Sequence, residues 1–231
     1  MNTLTRRPLL QLLASTALAL TAHTAWSQTA AWPAAGPIKL VVPFTPGSGT
    51  DVMARVVAEK LGQALGQQVV VENKPGAGGT VGAAQVAKSA ADGYTLLVHS
   101  SGHVVNPALY PKLAYDTLKD FDGVTPLASL PNVLVVSPAK GYKDVADLVA
   151  KAKARPDTLF YASAGNGSAT HMNAEQFRVV AGLKAQHVPF KGTPEALTDI
   201  IGGRTDWFFA PLVSVLPLIK DGKLQALAVG T

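Results

Sequence analysis

Glycine and hydroxyl residues gather three times in this chain where an apolar strand pattern runs straight into a helical one. The segments are VVPFTPGSGTD (41–51), VVVENKPGAGGTVG (69–82) and LFYASAGNGSATH (159–171). A helix N-terminus carries unpaired N–H groups and a partial positive charge. Glycine lets that backbone approach a ligand closely, so each segment can cradle an anion without a metal or a cationic side chain. One such loop alone reads as a plain βα turn. Three in one chain point to recognition of a molecule with one or more carboxylates.

In the first loop Pro46 and Gly47 turn the chain, and Ser48, Gly49 and Thr50 offer N–H groups and hydroxyls. Asp51 is expected to cap the following helix and hold the loop. In the second, Gly76, Gly78 and Gly79 leave a nearly bare backbone ahead of Thr80. In the third, Gly165 and Gly167 precede Ser168 and Thr170, with His171 one turn into the helix, either meeting the ligand or held by local packing. Lys191 ends a strand, where it would pair with an anion or stay solvated.

Enzymatic machinery is hard to find. Neither Ser48 nor Ser168 stands in a G-x-S-x-G elbow, and the phosphate loop, the dinucleotide fingerprint and the zinc-protease motif are all missing. His99 and His103 span a strand end and a glycine-containing loop, so a metal pair is not expected there, and no cofactor is expected. The chain has no cysteine, which excludes disulfides, a thiol nucleophile, zinc–thiolate sites and a lipoprotein anchor.

These loops need a scaffold, and the hydrophobic pattern supplies one. From Ile38 onward short β-branched runs alternate with helical patterns, the signature of βαβ units and a mainly parallel sheet. Strands are predicted over 38–43, 69–71, 94–99, 132–137, 159–163, 187–190, 207–209 and 224–229. Helices are predicted over 51–65, 81–90, 144–154, 168–181, 193–201 and 213–220, with Thr193 as the cap of its helix. Residues 100–131, broken by several prolines, are expected to be irregular and to hold a domain boundary.

Before this scaffold comes an export signal. Arg6 and Arg7 form a basic start, Leu9–Ala22 an apolar run too short for a comfortable span, and Ala25-Trp26-Ser27 a cleavage site. Residues 1–27 are therefore predicted to be a signal peptide. The pair Arg6-Arg7 suits either the general secretory or the twin-arginine route. Without those two arginines the formal charge falls from +5 to +3. The remaining cations are scattered and lack interleaved aromatics, so no nucleic acid is expected, nor stable membrane insertion once the signal is removed.

The motifs also resemble a family. Pro43–Asp51 resembles the P-F/Y-x-P-G-G-x-x-D loop of the tripartite tricarboxylate transporter substrate-binding proteins, the Bug receptors. Residues 73–82 are similar to their N-x-x-G-A-G-G-x-x-G loop, and 163–171 to their S-x-G-x-G-S-x-x-H segment. Val188–Gly192 resembles their V-P-Y-K-G and Leu224–Val229 their L-R-A-L-A-V strand.

The resemblance implies an α/β, two-domain periplasmic binding protein of the type II Venus-flytrap kind. It would close on a small carboxylate and deliver it to large and small integral membrane subunits. The implied first domain covers 28–131 and the second 132–223, with 224–231 a strand returning to the first. The first domain is expected to be incomplete, because family members continue well beyond that strand. The two loops of the first domain, with Phe44, would hold one carboxylate through backbone groups and ordered waters, and the third motif the far end. Three positions depart from the pattern: Ser48 replaces a glycine, Phe190 a tyrosine, and Ala210 an aspartate that can bind a ligand amino group, so an amino-acid ligand is less expected. A ligand sensor for a kinase and a secreted hydrolase or isomerase of anionic substrates are the competing functions.

Overall fold

The apolar run after Pro37 forms β1 (Ile38–Val42), buried at every position except Lys39. Burial on both faces is what a central parallel strand requires. In the computed structural model β1 lies between β2 (Val69–Asn73) and β3 (Thr95–Leu97), parallel to both. The structure describes residues 31–230, and the signal segment predicted over 1–27 falls outside them. Residues 31–35 make a turn of their own. From Gly36 onward the chain is one compact unit built on two sheets.

Helix α1 (Gly49–Leu65) follows β1 and stops at Gly66, whose left-handed φ of 60° lets its N–H reach back to the Gly62 carbonyl. Helix α2 (Thr80–Ala87) follows β2, and α3 (Gly102–Leu109) follows β3. The last falls inside the stretch expected to be irregular. Gly102 and Pro107 hide it from propensity, and packing decides it: Asn106 is fully buried, its amide donating to the Tyr115 hydroxyl at 3.4 Å.

The second sheet has the order β6-β5-β7-β4-β8. Its strands are β4 (Asn132–Val136), β5 (Phe160–Ser163), β6 (Gln186–Pro189), β7 (Trp207–Pro211) and β8 (Gln225–Val229). Side chains alternate between its faces as the pleat demands. Leu134, Val136, Trp207 and Phe209 pack on one side with α4 (Val145–Ala154) and α5 (Ala169–Val180). Val133, Val135, Phe208 and Ala210 pack on the other with α6 (Thr193–Ile201) and α7 (Leu212–Lys220). This lobe therefore has a core on each side of its sheet.

The strand expected over 224–229 is β8, which pairs antiparallel with β4, Val133 opposite Val229 and Val136 opposite Gln225, so that it extends the second sheet and ends beside Asn132, where the chain enters this lobe. One expectation needs correcting. Thr193 is not a cap but the first residue of α6, after Gly192. The oxygen that serves that helix start comes from the other lobe, where Ser48 Oγ accepts the Thr193 N–H at 3.1 Å.

Candidate functional site

A cavity of about 510 Å³ lies between the two lobes. Its first-lobe wall is the start of α1 (Ser48, Gly49, Thr50), Phe44, Met53 and the segment 97–101 after β3. Its second-lobe wall is Ala164, the start of α5 (Ser168, Ala169, Thr170), Asn173, Thr193 and Pro211. The extended stretch 125–130 and Asn132, which link the lobes, form the remaining side.

Strand order explains which loops reach it. In the first sheet the chain steps from β1 to β2 on one side and returns to β3 on the other, so the crevice opens between β1 and β3. In the second sheet the same reversal lies between β5 and β7. The cavity sits on these switch points. The 76–80 loop follows the outer strand β2 and takes no part in the wall.

The predicted set therefore divides. Phe44, Ser48, Gly49, Thr50, Ser168 and Thr170 line the cavity. Gly47, Asp51, Gly76, Gly78, Gly79, Thr80, Gly165, Gly167 and His171 stand outside its wall. Asp51 holds its loop from within, accepting Gly47 N–H at 2.9 Å, Arg55 Nε at 2.9 Å and Asn73 Nδ2 at 2.8 Å. Burial pushes its pKa up, but the bonds from Arg55, Gly47 and Asn73 outweigh this and hold it below the ordinary carboxylate value. His171 is engaged locally: Nδ1 accepts the Gly167 N–H at 3.1 Å and the ring stacks on His187 at 4.1 Å between centroids. The Ser168 hydroxyl caps α5 by accepting the His171 N–H at 3.2 Å, while Thr170 Oγ1 accepts the Ala164 N–H at 2.9 Å.

The segment 97–101 was not expected in the cavity wall, although Ser100-Ser101-Gly102 after an apolar strand is a faint version of the same loop signal. His99 is its chief side chain. Burial, aided by the neighbouring His103, pulls its pKa down to about 3, so the ring is neutral. On one edge of the ring Nδ1 faces Ser100, 2.8 Å from its backbone nitrogen and 3.1 Å from its carbonyl oxygen, and the opposite edge carries Nε2. That nitrogen is buried without a partner, as is Thr50 Oγ1. A buried polar atom left unpaired costs free energy, and the ring edge that carries Nε2 faces the Gly79 backbone rather than the cavity. The rings of His99 and His103 are 5.1 Å apart between centroids, but among the described residues no group of three or more potential ligands could hold a metal.

The electrostatics of the wall are simple. It contains no Asp, Glu, Lys or Arg. Helices α1, α3, α5, α6 and α7 all begin at it, so their positive ends converge on one space. Apolar surface from Phe44, Met53, Leu97, Leu127 and Leu130 fills the intervals. Nothing here resembles a nucleophile with its base. Ser163 Oγ lies 2.6 Å from His187 Nε2, yet Ser163 is fully buried and outside the wall.

Comparison with known proteins agrees with this geometry. The family profile of the tripartite tricarboxylate transporter family receptor matches residues 53–231. Protein BugT of Bordetella pertussis is 42% identical over 197 residues, which are 84% of this chain and 60% of that protein. Two solved structures from Rhodopseudomonas palustris superpose closely. Rpa4515 with adipate has a TM-score of 0.83 at 37% identity, covering 87% of this chain and 67% of that one. MatC with bound malate has a TM-score of 0.81 at 34% identity, covering 87% and 68%. The chain spans 60–65% of the length of the first curated relatives it matches. On the profile match, these identities and the shared two-sheet fold, the chain belongs to the tripartite tricarboxylate transporter receptor family.

Proposed function

We propose that this chain is an exported receptor that captures a small carboxylate between its lobes in the periplasm and delivers it to the membrane subunits of a tripartite tricarboxylate-type transporter. One observation carries the ligand class: helix N-termini from both lobes converge on a cavity whose wall holds no charged side chain. Peptide dipoles favour an anion there, and a cation finds no carboxylate to pair with. An amino group is equally unprovided for, with Ala210 buried in the core. A volume of about 510 Å³ with apolar intervals suits a short carbon skeleton carrying one or two carboxylates. The adipate and malate held by the two solved relatives have that form.

Export rests on the sequence of residues 1–27, and no helix among the described residues is long and apolar enough to cross a membrane. A thermal-shift series of malate, adipate, acetate and putrescine tests the ligand reading. A carboxylate at a hundred times its Kd is expected to add about 2.7 kcal/mol of stability. No shift with any carboxylate, or a shift with putrescine alone, overturns it. Loss of carboxylate uptake on deleting this chain from cells that carry the membrane subunits tests delivery.

A further inference from the structure

Beside the cavity the two lobes meet along a seam of glycines, each at a point where the opposite lobe leaves no room for a β-carbon. A β-carbon on Gly78 would overlap the carbonyl of Asn166, and one on Gly102 the carbonyl of Gly167. One on Gly167 would stand 2.6 Å from Asn106 Oδ1. The Tyr110 hydroxyl donates to the same Asn166 carbonyl at 3.0 Å. Gly78, Gly102, Asn106 and Tyr110 belong to the first lobe, and Asn166 and Gly167 to the second. The second loop therefore spends its bare backbone on the facing lobe and, at Gly79, on making room for the His99 ring.

We propose that the 76–80 loop is the seat on which the second lobe closes, fastened by the Tyr110 hydroxyl, and that this seam sets the ratio of closed to open clamp. An open form exposes Gly78 and the Asn166 carbonyl to water, where neither is strained or unpaired. Closure exchanges that water for the Tyr110 hydroxyl, a near-balanced exchange that one hydroxyl can tip. The bearing on ligand affinity rests on the receptor reading above: a ligand held only by the closed form binds more weakly in proportion as that form is depopulated. A methyl group at position 78 obstructs closure without entering the cavity.

The absence of cysteine makes the test direct. Lys88→Cys on the first lobe and Lys184→Cys on the second, both exposed, take spin labels in the full chain, and the inter-label distance distribution is measured alone and with malate or adipate. The otherwise unaltered sequence is expected to show a closed population. Tyr110→Phe should lower the closed-to-open ratio at least threefold, and Gly78→Ala further. Should Gly78→Ala fail to fold, Tyr110→Phe, which removes one oxygen, decides alone. A ratio unchanged by Tyr110→Phe, or no closed population with or without either probe, overturns the proposal. A ratio that responds to Tyr110→Phe while neither probe binds leaves the seam standing and counts against the receptor reading, so the two fail separately.

Discussion

The loops at 47–51 and 76–80 look alike in sequence, both glycine-rich and both joining a parallel strand to a helix, yet they stand in different relations to the cleft. The first follows the central strand β1 and forms cavity wall; the second follows the outer strand β2 and packs against His99 and the facing lobe. A glycine-rich loop declares only that something approaches its backbone. Whether that is a ligand or the protein itself is settled by strand order.

The largest effect expected from disturbing this arrangement comes from acid. His99 and His103 in the first lobe and His171 and His187 in the second are all held neutral, chiefly by burial, with His99 at about 3 and His187 at about 4. Their folded pKa values lie below the unfolded value of about 6.5, so the unfolded chain takes up protons first. Stability is then complete above pH 6.5 and is lost as pH falls toward the folded values. The melting temperature should drop by about 10 °C between pH 7 and pH 5. His99→Gln and His187→Gln should each flatten part of that slope, the first reporting on the ring seated over Gly79. A melting temperature constant over this range would show that these rings titrate normally.

Next in size is Asp51→Ala, which strips the first loop of its internal anchor. Three bonds to a charged acceptor disappear, and about 2 kcal/mol of stability should go with them in urea unfolding at pH 7. The Arg55 partner is half exposed and regains water, which keeps the loss moderate. Gly78→Val and Gly167→Val should each weaken carboxylate binding at least about tenfold, roughly 1.4 kcal/mol. Both glycines have positive φ, 61° and 79°, and both face the other lobe. Unchanged titration isotherms with the fold intact would remove the distinction between the loops. Smallest is Thr50→Val. It deletes a hydroxyl that is buried without a partner, so folding stability should stay within about 0.5 kcal/mol while affinity falls about fivefold. A stability loss without an affinity loss would show that Thr50 serves the fold and not the ligand.

The sequence made the scaffold legible because the βαβ rhythm is written locally. β1, β4 and β7 are apolar runs of strand length, and Gly66 and Ser168 mark helix ends in the expected way. Helix α3 was not legible, since Gly102 and Pro107 argue against it and only tertiary packing of Asn106 secures it. The site was legible in part. Phe44, Ser48, Gly49, Thr50, Ser168 and Thr170, named from the local signal that helix starts carry, line the cavity. The contributions of 97–101 and 125–130 were not found: the first depends on β3 crossing to the far side of β1, and the second has no regular structure at all. The Ser48 oxygen on the Thr193 N–H joins positions 145 residues apart, which no local pattern encodes.

The charge-free wall has a consequence for how such a binding protein diversifies. A site built on arginine loses its attraction for anions when one codon changes. In the receptor reading proposed above, the attraction would belong to peptide groups at helix starts, which most side-chain substitutions leave in place. Phe44, Met53, Asn173 and the 125–130 stretch could then vary, reshaping the cavity for longer, shorter or hydroxylated skeletons, without removing those groups.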